Sequence, residues 1–319
     1  MRAVGFDVIG GPEVLRPVEL PVPVPGPGQV LIRVAYAGVG YGEAQHRLGD
    51  FGAPAGIEVP GMEASGEVAG LGPGVTGLAV GEPVAAFLPD GGGYAEYALA
   101  AAEFAFPLDG ISLRDGGGAA LALPTAYGVL AGAARLAAGD TVLIHAGAGG
   151  VGSAAAQIAR ALGAAAVYGT VGTPEKAEYA KRFGYDGVFL RDGFAEQAPE
   201  VDVVLDSVGG ATRSSSLGVL APFGRLAVYG ETAREADPEL PVRELWLHNR
   251  SVTGYNALDL VRRAPAVLRS HALSALSLLA SGAIRVDVTA ELPLSGAREA
   301  HETMAAGRGR GKILLRVAE

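Results

Sequence analysis

The stretch Thr141-Val-Leu-Ile-His-Ala-Gly-Ala-Gly-Gly-Val-Gly-Ser-Ala-Ala-Ala-Gln-Ile-Ala-Arg-Ala-Leu-Gly163 decides the fold. Its apolar opening reads as a buried strand, the Ala-rich run after Gly152 as a helix, and Gly163 as that helix's end. Between them Gly147, Gly149 and Gly152 stand in G-x-G-x-x-G spacing, with Gly150 and Val151 inside the turn. Glycines there let the backbone approach a pyrophosphate, and the unpaired N–H groups and positive dipole of the helix start stabilise its charge. Glycine is common in this chain, 49 of 319 residues, so the triplet alone is weak. Its context is what gives it force: a strand enters, a helix leaves, and strand–helix pairs continue to about Asn256. The pattern predicts an α/β fold, a doubly wound parallel sheet of the Rossmann kind, with a dinucleotide on Gly147, Gly149, Gly150, Val151 and Gly152.

Working outward, the next strand, Ala165 to Val171, should end beside the adenosine ribose, where an NAD enzyme places Asp or Glu on the 2′-hydroxyl. The sequence there is Gly169-Thr-Val-Gly-Thr-Pro-Glu-Lys176. Two hydroxyls, Thr170 and Thr173, and Lys176, one of three lysines in the chain, suit a 2′-phosphate, so NADPH is expected over NADH. Val201-Asp-Val-Val-Leu-Asp-Ser-Val-Gly-Gly210 reads as a buried strand whose end lines the coenzyme crevice, with Val208 and Gly209 as contacts. Asp206 is expected to organise the turn that follows.

On the other side of this segment, Arg2 to about Pro107 alternates short apolar runs with Gly and Pro, a β-rich text. After Asn256 a helical stretch (Leu258 to Ala280), a strand near Arg285 to Thr289, a short helix (Ala297 to Ala306) and a final strand (Lys312 to Val317) could complete that first region. Charge and composition exclude several functions. With 25 basic and 34 acidic residues, net −9, there is no footprint for nucleic acid. Without cysteine there is no disulfide, thiolate metal site or thiol nucleophile. The five histidines (His46, His145, His248, His271, His301) show no paired spacing for zinc, so no metal is expected. No stretch reads as a signal peptide or a membrane span, which points to a cytoplasmic protein.

Many ordered matches carry a resemblance over nearly the whole chain: Ala37-Gly-Val-Gly40, Pro60-Gly-Met-Glu-Ala-Ser-Gly-Glu-Val68, Val80-Gly-Glu-Pro-Val84, Gly92-Gly-Tyr-Ala-Glu-Tyr97, Pro124-Thr-Ala-Tyr127, the glycine turn, Gly169 to Ala177, Ala300-His301 and Gly307 to Ile313. The chain resembles the medium-chain dehydrogenase/reductase superfamily, in its zinc-independent branch of quinone oxidoreductases and enoyl reductases. The resemblance implies a discontinuous GroES-like (chaperonin-like) β-rich catalytic domain, 1–122 and 258–319, around a Rossmann NADPH-binding domain, 123–257. It also implies an interdomain cleft for coenzyme and substrate, and a homodimer joined through the Rossmann domains. Zinc-dependent relatives carry Cys where this chain has Gly40 and His where it has Met62.

Chemistry without a metal points to an acceptor that is already electrophilic, a quinone or a carbon–carbon double bond conjugated to a carbonyl. The resemblance places Tyr41 where several polyketide enoyl reductases carry a proposed proton donor, and the loop around it near nicotinamide and substrate. His46 is a second candidate proton carrier. It further implies that Thr125 and Asn256 approach the nicotinamide, that Arg308 reaches a coenzyme phosphate, and that Glu63 has a structural hydrogen-bonding role. Quinone reductases typically have Asn at the position of Gly40 and Tyr at that of Gln45, so this chain departs from them there. Two alternatives remain: a tailoring enoyl reductase of polyketide-type biosynthesis, and an NADPH-binding protein with little turnover.

Overall fold

Period-two alternation in Gln29–Val39 places Val30, Ile32 and Val34 on one face, each at most 1% exposed, as an antiparallel strand with one wet face requires. The computed structural model describes residues 1–236, 239–240 and 242–317. The chain divides into two units, Met1–Ala122 with Val286–Glu319, and Leu123–Arg285. The first unit begins with β1 (Arg2–Gly5), β2 (Arg16–Glu19), β3 (Gln29–Val39), β4 (Glu63–Leu71), β5 (Pro83–Phe87), β6 (Tyr97–Ala101) and β7 (Ala105–Pro107). The second holds β8 (Thr141–Ile144), β9 (Ala166–Val171), β10 (Gly187–Leu190), β11 (Val201–Asp206), β12 (Leu220–Val228) and β13 (Ser251–Gly254). The chain then returns to the first unit with β14 (Val288–Pro293) and β15 (Lys312–Arg316).

The first unit's main sheet runs β14-β15-β3-β4-β5-β7, with β6 also on β3 and only the β14–β15 pair parallel. Its core gathers Phe6, Val30, Ile32, Leu88, Tyr94 and Leu315, all 0% exposed. The second unit's sheet is parallel throughout, in the order β10-β9-β8-β11-β12-β13. Counted within the unit this is 3-2-1-4-5-6. The order reverses between β8 and β11, the switch point at which ligands sit in such sheets.

The compact units divide after Ala122 and after Arg285, whereas the resemblance implied divisions after residues 122 and 257. The helices Ala257–Arg263 and Pro265–Ala280 stay with the parallel sheet. Tyr255, which follows β13, places its hydroxyl 3.3 Å from His271 Nδ1, and Gln157 of the helix Gly150–Ala161 bonds both the N–H and the C=O of Arg285, at 3.0 and 3.1 Å. The single helical stretch expected from Leu258 is broken at Ala264, because the residue before Pro265 is driven out of helical geometry, here to φ −152°. Among the described residues no helix is long and apolar enough to cross a membrane.

Candidate functional site

In the second unit, β8 ends at Ile144, His145 follows it, and the chain turns at Ala146, whose φ of +53° is left-handed for a residue with a side chain. The Gly147 N–H donates to the Thr170 carbonyl at 2.9 Å, and the helix Gly150–Ala161 starts at Gly149 with no side-chain cap. Its first N–H groups therefore have no side-chain acceptor from the cap position. Two glycines are sterically required. A Cβ on Gly147 would lie 2.8 Å from the Tyr185 hydroxyl, and one on Gly152 would strike the Ala146 carbonyl. Gly150 and Val151 form the first turn of that helix. The arrangement is a backbone cradle for a phosphate, and the residues present fit a dinucleotide.

Several side chains and amides at the strand ends around this turn are engaged within the fold. Thr170 is 0% exposed and its hydroxyl bonds His145 Nδ1 at 2.7 Å, which braces the turn. Thr173 caps the helix Pro174–Ala180, its oxygen accepting the Lys176 N–H at 3.4 Å. Lys176 lies half-buried in that helix's first turn. Val208 is buried, and both its N–H and that of Gly209 donate to Asp206 Oδ1, at 2.7 and 3.0 Å, so neither amide is offered to a ligand. Asp206 in turn pairs with Arg213 at 2.7 Å, the turn-organising role expected of it. Asn256 caps the helix Ala257–Arg263 by accepting the N–H groups of Leu258 and Asp259, which commits its carboxamide oxygen. Thr125 sits half-exposed in the helix Ala122–Tyr127.

Two residues missed by the sequence expectation hold the turn together. Tyr185 is buried and donates its phenolic proton between the Gly147 and Gly152 carbonyls, at 3.1 and 2.9 Å. Burial pushes that phenol's pKa well up, so it remains a donor. His145 continues the support inward, with Nε2 2.7 Å from the Ser216 hydroxyl, which itself donates to the Thr212 carbonyl. With that hydroxyl's proton committed, Nε2 carries the imidazole proton and Nδ1 accepts from Thr170. Burial lowers the His145 pKa to about 4, consistent with a neutral ring. No spacing rule marks Tyr185, in the connection before β10, or His145, in the turn after β8.

In the first unit, Tyr41 opens the seven-residue helix Tyr41–Arg47 and is half-buried. Gly40 cannot cap this helix by side chain; Glu43 reaches back instead, accepting the Gly40 N–H at 2.9 Å with one oxygen and the Met62 N–H at 2.8 Å with the other. His46 pairs with Glu58 at 2.5 Å, between the rings of Phe6 and Phe51. Glu63 accepts from Leu121 N–H at 2.7 Å and pairs with Lys312, which the sequence reading had passed over. Arg308 is exposed in the segment after the helix Ala297–Ala305. A buried Arg47–His301–Tyr94 chain links Tyr41's helix to that C-terminal helix. Arg47 Nε donates to His301 Nδ1 at 3.4 Å, leaving Nε2–H to donate to the Tyr94 oxygen at 3.2 Å. Among the described residues no three His, Asp or Glu side chains converge in a way that could hold a metal ion.

Residues 150–271 match the family described as zinc-binding dehydrogenase, and residues 26–110 match the alcohol dehydrogenase GroES-like domain. The chain is 37% identical over 289 residues to polyketide synthase GfsB of Streptomyces halstedii, a match that takes in 89% of this chain but only 5% of that protein. It is 35% identical over 322 residues to 2-haloacrylate reductase of Burkholderia sp, covering 96% of each chain. Among solved structures, Escherichia coli quinone oxidoreductase complexed with NADPH superposes with a TM-score of 0.88 at 29% identity, covering 99% of this chain and 100% of that one.

Proposed function

Because the chain belongs to the medium-chain dehydrogenase/reductase superfamily, in its quinone oxidoreductase branch, and is an NADPH-dependent oxidoreductase, we propose that it reduces a quinone or an α,β-unsaturated carbonyl compound without a metal. The observation that carries the metal-free reading is the commitment of the buried carboxylates Glu43 and Glu63. Their four oxygens already accept backbone N–H groups and the Lys312 ammonium. With no Lewis acid to activate a carbonyl or an alcohol, the acceptor must bring its own electrophilicity.

The coenzyme, when bound, supplies the hydride equivalent. The chain's own residues orient and stabilise. The glycine turn takes the pyrophosphate, and Lys176 faces the 2′-phosphate as its charge partner. Arg308, in the basic Gly307–Gly311 segment, contributes to phosphate binding, and Thr125 contacts the nicotinamide. Reduction leaves negative charge on the acceptor oxygen; the Tyr41 phenol hydrogen-bonds that oxyanion and supplies the proton, regaining one from solvent. His46, paired to Glu58, is the second candidate for proton supply.

The experiment is a panel of benzoquinone, naphthoquinone and enone acceptors followed by NADPH oxidation at 340 nm. Turnover with at least one class is expected; tight NADPH binding with no turnover across the panel would favour the binding-protein reading instead. A tailoring enoyl reductase is the second reading, favoured by the likeness to a segment of a polyketide synthase and by Tyr41. Tyr41→Phe is expected to slow enone reduction and leave quinone reduction intact if that reading holds. A homodimer joined through the edge of the parallel sheet completes the proposal.

A further inference from the structure

Strand β15 delivers a lysine into the interior of the first unit. Lys312 is 6% exposed, and the two carboxylates near it, Glu43 and Glu63, are 1% exposed. The ammonium pairs with Glu63 Oε1 and donates to the Val39 carbonyl at 3.3 Å, at the end of the strand that leads into Gly40. A carbon built on Gly40 would lie 3.1 Å from Glu43 Oε2 and 3.9 Å from Lys312 Nζ, so the cation sits directly behind the turn that begins Tyr41's helix. Burial pushes the Glu43 carboxyl's pKa up and Lys312 pulls it back; Glu63 is the other charge acting on it, and Tyr94 feels both carboxylates.

A buried cluster of three charges is a poor way to gain stability, since well-packed apolar side chains of similar volume usually do as well or better. What this one does is fix a short piece of backbone. The helix Tyr41–Arg47 is two turns long and has a glycine at its cap position, so the Glu43 carboxylate takes the place of a capping side chain by holding the Gly40 N–H. Its second oxygen ties the same side chain to the Met62 N–H. A neutral glutamine could accept only one of the two amides, and would point its own NH2 at the other. The carboxylate form is therefore required, and Lys312 is the cation that faces it.

We propose that Lys312 is a positioning residue for the reduction, fixing through Glu43 and Glu63 the Gly40–Tyr41 turn and hence the orientation from which the Tyr41 phenol serves the acceptor oxygen. This rests on the reading of Tyr41 as proton donor, so its test separates the two. The full-length protein is labelled with 3-fluorotyrosine, and the Tyr41 resonance is assigned by its loss in Tyr41→Phe. In Lys312→Met that ¹⁹F resonance is expected to shift or broaden, and kcat with an enone acceptor to fall about tenfold, a fraction of the roughly hundred- to ten-thousandfold that a well-placed general acid contributes. The KM for NADPH should stay unchanged, and Lys312→Arg, which keeps the cation, should restore both resonance and rate. In a Tyr41→Phe background the further loss from Lys312→Met should vanish. If Lys312→Met does not fold, Glu43→Gln is expected to move the same resonance. An unmoved Tyr41 resonance overturns the proposal, as does an undiminished rate loss in the Tyr41→Phe background or a KM for NADPH that rises as kcat falls. Should Tyr41→Phe leave enone reduction untouched, the proton-donor reading fails by itself, and the resonance still decides whether Lys312 holds the turn.

Discussion

The proposed site gives Tyr185 and Lys176 physically different parts in holding the coenzyme, and single substitutions separate them. The Tyr185 phenol bridges the carbonyls of Gly147 and Gly152, and its ring fills the space that a Cβ on Gly169 would take, so it shapes a turn that both coenzymes use. Tyr185→Phe removes that shared hydrogen bond, a loss of about 1 kcal/mol, and is expected to weaken NADPH and NADH alike by roughly fivefold. On the proposed reading, Lys176→Ala removes a charge-assisted contact to the 2′-phosphate alone. It should lower NADPH affinity about ten- to a hundredfold, ~1.4 to 3 kcal/mol, with NADH little changed. Calorimetric titration of each variant with both coenzymes checks the pair, and equal losses for both coenzymes in Lys176→Ala would remove that residue from the phosphate site. Residue types near the turn were legible from the sequence; the directions of their side chains were not. Thr170, Val208 and Asn256 stand at the right strand ends, yet their hydroxyl, amide and carboxamide groups are already engaged by His145, Asp206 and a helix start.

The elements were legible where hydrophobic periodicity met a strong punctuator. The final β15 ends one residue from its expected bound and the helix after the glycine turn two or three residues from its own, while β11 starts at Val201 as expected but stops at Asp206, four residues short of Gly210. The second domain boundary was not legible, because an amphipathic helix such as Pro265–Ala280 records that it has a buried face but not which sheet buries it. How β8, β9 and the helix Gly210–Gly218 are joined was equally hidden, since the Thr170–His145–Ser216 chain has no motif. That chain makes a pH prediction. His145 is neutral in the fold, with its pKa lowered by burial to about 4, while the unfolded chain binds a proton near 6.5. A depressed histidine pKa contributes stability that is fully present above the unfolded value and is lost as pH falls through the folded one. The window therefore runs from about 6.5 down to about 4, and the gap corresponds to about 3 kcal/mol. Urea midpoints measured from pH 7.5 to 4.5 are expected to fall across that window, and to fall less steeply in His145→Gln. Equal slopes in the two proteins would remove His145 as the source.

At the scale of the whole molecule, the parallel sheet ends in an exposed edge. β13 is bonded to β12 on one side only within the described residues. Beside it Phe223, Val242 and Trp246 stand 77%, 72% and 72% exposed and line a shallow groove with Ser251 of that strand. The helix Val242–Leu247 has no buried residue among those described. Phe223 also sits at φ +63°, a strained backbone for an aromatic residue that is otherwise in solvent. An unpaired strand edge with an apolar rim invites pairing with another strand, and natural proteins seldom leave one bare. A second copy meeting this edge would continue the sheet and cover the exposed tryptophan, the strained phenylalanine and the exposed face of the helix together. Trp246→Glu would place a charge in that contact, and is expected to reduce the mass found by size exclusion with light scattering from twice 32.1 kDa to 32.1 kDa, with NADPH binding retained. If the unaltered protein already runs at 32.1 kDa, or the Trp246→Glu variant remains paired, this edge is not where two copies meet.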